Sequence, residues 1–252
     1  MKNKLFVTCA FFILILASTQ FSCKRDCISG QGSVLTKDIT PNDLNFNKIE
    51  ISKGDFDVEI IQDNVFKVEL KSQPNLSSYF EAYQSNNILV LNQTTSKCIE
   101  SDEPIKFYVH LPFANNLNEI SNYGTGYIRC MSLETNYLYI KNTASGDIDI
   151  YNLYSNDLVE ADLRGTGDIS LSGKDVISRS TYTNSGYGTI DAKNLICKES
   201  RTSALSSGSI YVYVLNLLDA NISGSGSIYY RGGPFINASG QGSGNIIQLR
   251  GK

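Results

Sequence analysis

Residues Asn221 to Pro234 read NISGSGSIYYRGGP, and the Gly224-Ser-Gly226-Ser-Ile228 inside them is one member of a series. The others are Gly124-Thr-Gly126-Tyr-Ile128, Ala144-Ser-Gly146-Asp-Ile148, Gly165-Thr-Gly167-Asp-Ile169, Gly186-Tyr-Gly188-Thr-Ile190, Ser206-Ser-Gly208-Ser-Ile210 and Gly242-Ser-Gly244-Asn-Ile246. Their second glycines stand 20, 21, 21, 20, 18 and 18 residues apart. A period near 20 with a short β-pattern in each unit fits one coil of a β-solenoid. Helical repeats run to about 33 residues or more and space their apolar positions by three and four.

After each of these glycines the chain alternates. Ile128, Ile148, Ile169, Ile190, Ile210, Ile228 and Ile246 are followed two places on by Cys130, Ile150, Leu171, Ala192, Val212, Tyr230 and Gln248. Mostly polar and aromatic residues lie between them, which is the pattern of half-buried strands. In a solenoid each strand pairs with its copy in the next coil, about 4.8 Å away, so the seven isoleucines form a core ladder. The glycines then mark corners, where a residue without Cβ is expected to adopt positive φ. Residues 33–122 are also β-rich but lack the repeat: Phe56 to Ile60, Phe66 to Leu70 and Ile105 to Leu111 alternate, while Leu76 to Ala82 reads as a short helix.

The first residues set the compartment. Lys2 and Lys4 precede a mostly apolar run, Leu5 to Ala17, too short to span a bilayer, as in a secretory signal. The segment from Gln20 to Asp26 resembles a bacterial lipoprotein processing site, with Ser22 as the small residue before a lipidated Cys23; plain secretion is the alternative. The division is a signal peptide over 1–22, a lipidated N-terminus and linker over 23–46, and a β-domain over 47–252, irregular over 47–122 and regular over 123–252. The formal net charge is −3, and loss of the leader's lysines makes the chain more acidic, which argues against nucleic acid as partner. Of the remaining cysteines, Cys27 and Cys98 are the best disulfide pair, and Cys130 falls on the inward face as a buried thiol.

With its lipoprotein-like start, its irregular β-half and its glycine array, the chain resembles the head GIN domain, putative auto-transporter adhesin family of Gram-negative lipoproteins. The similarity runs through Ile49-Glu-Ile51, Phe56 to Ile60, Asn75-Leu76 with Tyr79, and above all the array. The resemblance implies a right-handed parallel β-helix of pectin-lyase-like shape, an adhesive role in the cell envelope or on the outer membrane, and a homo-oligomer such as a trimer. It implies no enzymatic activity.

The residues give catalysis little to work with. None of the seven stretches completes the Gly-x-Gly-x-x-Gly of a dinucleotide site, and at Gly173-Lys174 the P-loop hydroxyl is replaced by Asp175, so no nucleotide cofactor is expected. His110 is the single histidine, which leaves no typical zinc site and no ready catalytic triad. Asp147 and Asp168 stack in adjacent coils and could seat calcium, but solvated corner residues are the simpler reading. Asp149 stacks beside Arg129 as a surface ion pair. Tyrosine is in excess, 15 with no tryptophan, and Tyr211, Tyr213 and Tyr229 project outward with Tyr151 further along the row of Tyr213. Such ladders pack against one another and also bind glycans or proteins. The expected function is a non-enzymatic envelope adhesin anchored through Cys23 that contacts a glycan or a protein; the alternative is a polysaccharide-binding or polysaccharide-cleaving β-helix. The last coil exposes strand edges, so self-association or capping by another segment is expected.

Overall fold

The computed structural model describes residues 26–113 and 116–250. Cys23 and the signal segment lie outside them. The described residues are all-β apart from one 3-10 turn at Ser77–Tyr79, which leads directly into the strand Phe80–Ser85. The short helix expected over Leu76 to Ala82 is thus one turn, because Phe80 and Ala82 pair with Gln93 and Leu91 in a hairpin.

About twenty residues make one coil, and successive coils pair in parallel. Face one stacks Ile88–Gln93, Lys48–Lys53 and Glu119–Asn122, then the ends of Leu133–Asn142 and Leu153–Leu163, then Ile177–Asn184, the ends of Ile190–Ala204 and Ile210–Ile222, and Phe235–Ser239. Face two stacks Lys106–Pro112, Asp57–Asp63, Ile128–Cys130, Ile148–Ile150 and Ile169–Ser172, then the starts of the two long strands, then Ile228–Arg231 and Ile246–Gln248.

The core lies between the faces. Phe107, Val58 and the isoleucines 128, 148, 169, 190, 210, 228 and 246 form one column in register, essentially fully buried as far as Ile228 and partly buried at Ile246. Each fully buried isoleucine contributes about 2 kcal/mol.

The corner glycines work differently from the sequence expectation. Among the described residues, glycines with positive φ are Gly32, Gly54, Gly232 and Gly240, none of them in the array. What the array requires is space. A Cβ on Gly146 would lie 2.1 Å from the carbonyl oxygen of Gly126, and one on Gly167 would lie 2.2 Å from that of Gly146. The same contact, at 2.2 Å or less, links Gly188 to Gly167, Gly208 to Gly188, Gly226 to Gly208 and Gly244 to Gly226. In the parallel column a Cβ added to Gly165, Gly186, Gly224 or Gly242 would lie 1.9 to 2.2 Å from the backbone of the coil below, and one added to Gly124 would lie 2.8 Å from Gly54 O. Consecutive corners therefore nest backbone on backbone.

Buried asparagines tie three corners together. Asn142 donates to Gly146 O (2.7 Å) and Asn184 to Gly188 O (2.8 Å), while Asn122 Oδ1 accepts from Gly124 N (3.0 Å) and its amide reaches Asn142 Oδ1 (3.3 Å). These fully buried amides satisfy corner groups that no strand partner reaches.

Stacking order is not chain order. The coil begun by Lys48–Lys53 is held between Ile88–Gln93 on one side and Glu119–Asn122 on the other. Beyond it the parallel stack ends in antiparallel pairings: Phe80–Ser85 on Ile88–Gln93, Lys67–Ser72 on Lys106–Pro112, and Leu35–Asp38 on Lys67–Ser72. The Cys27–Cys98 disulfide fastens the small parallel pair Ile28–Ser29 and Ile99–Glu100, and Cys130 and Cys197 are buried thiols. At the other end Phe235 and Ile247 are exposed.

A Gly167→Ala chain is expected to lose more than about 3 kcal/mol of stability in denaturant unfolding, because the added methyl meets fixed backbone. Gly233→Ala, where nothing lies within 4 Å of the added carbon, stays within about 0.5 kcal/mol of the parent. Equal effects at the two positions would refute the nesting argument.

Candidate functional site

The outward row of face two runs, coil by coil, Tyr108, Glu59, Arg129, Asp149, Ser170, Asp191, Tyr211, Tyr229 and Ile247. Strand alternation turns these side chains out while the isoleucine column turns in. Asp149 Oδ2 accepts hydrogen bonds from two tyrosyl hydroxyls, those of Tyr127 and, at 3.0 Å, of Tyr151. Arg129 does lie beside Asp149 in register, but its guanidinium packs over the Tyr127 ring at 5.0 Å and donates to that hydroxyl at 3.4 Å. Burial, and then the bond to Asp149, hold the Tyr127 phenol well above its ordinary value.

Two coils on, Lys193 is paired with Asp191 and sits 5.5 Å from the centre of the Tyr211 ring, which stacks on Tyr229 at 4.5 Å and 8°. Burial is the first cause that raises the Tyr211 phenol, followed by Tyr229 and Asp191. Between these two walls the side chains shrink to Ser170 and Ser172. The result is a groove of about 200 Å³ lined by Asp149, Tyr151, Ser170, Ser172, Asp191 and Asn194. Carboxylates, an amide and hydroxyls alternate there beside aromatic surface, the donor and acceptor pattern that suits a polyol or a polar protein loop.

Of the outward tyrosines Tyr151 lines this groove, while Tyr211 and Tyr229 stand one and two coils beyond Asp191. Tyr213 does not share a row with Tyr151: the register shifts between Ala192 and Ile196, so Tyr213 pairs with Ile196 and Arg231 while Ser172 pairs with Asn194. Asp147 and Asp168 are exposed corner residues whose Oδ1 atoms accept the backbone N–H of Asp168 and Thr189, both at 2.7 Å. Ser209 and Ser227 accept from Ser227 and Asn245 in the same way (3.2 and 3.0 Å), so Asp147, Asp168, Ser209 and Ser227 each clip the backbone of the following coil. His110 stands between Asp63 (Nδ1, 2.7 Å) and Glu69 (Nε2, 3.4 Å) at the capped end. Among the described residues no group of three or more His, Cys, Asp or Glu could hold a metal ion. Tyr127, Lys193 and the serine floor were not singled out from the sequence; the signal was the fall in outward side-chain size from Asp149 and Tyr151 to Ser170 and Ser172.

A second depression of about 980 Å³ lies at the capped end, between the loop fastened by Cys98 and the corners at Gly54 and Gly124. Its carboxylates are engaged: Asp26 with Lys97 (2.9 Å), Asp55 with Thr125 (3.0 Å), Asp57 with Tyr127 N (3.0 Å), Asp102 with Gln73 (2.8 Å) and Glu103 with Lys71 (2.6 Å).

Residues 45–234 match the family described as "Putative auto-transporter adhesin, head GIN domain". Among solved structures, a putative adhesin from Bacteroides fragilis NCTC 9343 superposes with a TM-score of 0.77 at 26% identity, over 88% of this chain and 100% of that one. A putative lipid binding protein from Parabacteroides distasonis ATCC 8503 gives 0.62 at 24% identity, over 88% and 99%. A putative adhesin from Parabacteroides merdae ATCC 43184 gives 0.62 at 19% identity, over 89% and 100%. No curated protein matches this chain.

Absorbance titration of the tyrosines checks the buried network. Tyr127, Tyr137, Tyr139, Tyr182 and Tyr211 are all raised, so they ionise above the ordinary tyrosine range. A raised folded-state value means the unfolded chain ionises first; stability from these groups is complete below about pH 10 and declines above it. Asp149→Asn brings Tyr127 only part of the way down, since burial is the larger cause. An unchanged titration in that variant would contradict the assigned bond.

Proposed function

Because the chain belongs to the putative auto-transporter adhesin, head GIN domain family, we propose that it is a non-enzymatic adhesin of the cell envelope whose contact surface is the groove on face two. The observation that carries this reading is the groove itself: a hydroxyl floor between a tyrosine-held carboxylate on one side and Asp191 with Asn194 on the other, on a scaffold whose corners are nested backbone. Rigid aromatic walls lose little conformational entropy on binding, which suits a recognition surface. The Bacteroides fragilis relative, described as a putative adhesin, supports the same class. Lipidation of Cys23 would hold the domain at the outer membrane, and pairing of the exposed last strands would give the homo-oligomer. Binding of the mature chain to glycan and envelope-protein arrays tests the proposal: the parent binds, and Ser170→Arg, which fills the groove, loses at least about tenfold in affinity. Absence of binding by the parent, or an unaffected variant, would refute it.

A second reading rests on the large depression at the capped end. Five carboxylates and two lysines line it, as in a polysaccharide-cleaving cleft. Each carboxylate nevertheless has a structural partner, which favours an architectural role. Release of new reducing ends from acidic or neutral polysaccharides, abolished by Asp57→Asn, would establish this alternative; no release removes it.

A further inference from the structure

The serine floor of the groove belongs to one coil, and that coil is small-sided on face one as well. After Ser170 and Ser172 it continues through the strand Ile177–Asn184, whose outward residues at the far end are Thr181 and Thr183, with Ser185 at the next corner. The coil before it carries Glu160 and Asp162 in the same rows, and Tyr139 stands one coil further back. The step down from these side chains leaves a shelf of about 410 Å³, bounded on its other side by Leu205.

The shelf repeats the chemistry of the groove with other residues. Tyr137 donates to Glu160 Oε2 at 2.7 Å, and the Tyr139 hydroxyl lies 3.5 Å from Asp162 Oδ2. Arg164 gives both Nε (2.9 Å) and one terminal nitrogen (2.7 Å) to that same Oδ2, so its other terminal nitrogen and Asp162 Oδ1 stay outside the pair. Asp162 is nearly buried, which fixes its geometry, and Leu205, 42% exposed, adds an apolar contact opposite the tyrosine ring. The lining thus offers fixed acceptors, one charged donor, three hydroxyls and two apolar surfaces. Two carboxylates against one guanidinium disfavour an anionic ligand.

We propose that this shelf is a second sugar-binding site, for an uncharged pyranose, and that the coil 165–185 therefore presents one sugar contact on each face. The inference rests on the reading of the protein as an adhesin and specifies its ligand as glycan. The hydroxyls of a neutral pyranose match the carboxylates, Arg164 and the threonines, while its C–H face covers Tyr139 or Leu205. Two separate contacts let a branched or multivalent glycan bind with avidity although each shelf alone is shallow.

The mature chain is titrated by NMR with neutral gluco-, galacto- and manno-trisaccharides and chitotriose, with trigalacturonate as the anionic control. A neutral sugar is expected to shift the signals of Ser185 and Leu205 as well as those of Ser172 and Asn194. Thr183→Arg, which fills the shelf, abolishes the first set and leaves the second, and Ser170→Arg does the reverse. Thr183→Val keeps the β-branched shape and removes only the hydroxyl, weakening the shelf about fivefold; it carries the test if the arginine variant does not fold. Shifts confined to the groove overturn the second site and leave the adhesin reading standing. No shifts with any sugar overturn the glycan assignment, while a protein ligand found on the arrays would still support adhesion. Preference of the shelf for trigalacturonate overturns the assigned chemistry.

Discussion

At every corner of the regular coils two stretches of backbone lie so close that no side chain fits between them. The carbonyl of one glycine occupies the place where the Cβ of the next coil's residue would stand, from Gly126 through Gly244. This contact sets the spacing of the corners, and the spacing in turn brings Ile128 over Ile148 and Asp149 over Ser170. The core ladder and the outward rows are two readings of the same registration. A site assembled from three coils can hold its geometry only because the corners between them cannot drift.

Much of this was legible because the repeat is visible in residue types. Glycine and isoleucine recur at near-constant spacing, and alternation assigns Cys130, Ile150 and Leu171 to the inside, where they are buried. The mechanical role of the glycines was not legible: positive φ and close approach call for the same residue, and only the backbone distances separate them. The bulge between Ala192 and Ile196 was hidden as well, since it inserts residues without altering the glycine spacing enough to notice. The asparagine brackets at Asn122, Asn142 and Asn184 do stand four places before a repeat glycine, but Leu163, Ala204 and Ile222 hold the equivalent places and obscure the pattern.

The site was legible to a lesser degree. The outward tyrosines could be read from alternation, and Tyr211 does stack on Tyr229. A row reading treats each position alone, however, and so pairs Arg129 with Asp149. In three dimensions Tyr127, from the coil before, and Tyr151, from the same coil, both reach the carboxylate, and the arginine lies over the Tyr127 ring. What makes a depression is contrast between neighbouring coils, and that becomes visible only when the coils are laid one over another. The match to the head GIN domain family and the 26% identical Bacteroides fragilis structure agree with the solenoid reading, and the binding surface is this chain's own composition laid upon it.

The interleaved stacking of the first coils also bears on the order in which the chain acquires structure. Within the array each strand meets its partner about twenty residues away, whereas Val58 must wait for Ile128 and Cys27 is joined to Cys98 across 71 residues. Loop closure over the longer separations is slower and costs more entropy. In a chain released from its N-terminus first, the strand Lys48–Lys53 gains Ile88–Gln93 as its first neighbour and its second only when Glu119–Asn122 has emerged. The capped end is therefore a base whose first strands are flanked on both sides only after the array has begun, although they are the first to be made.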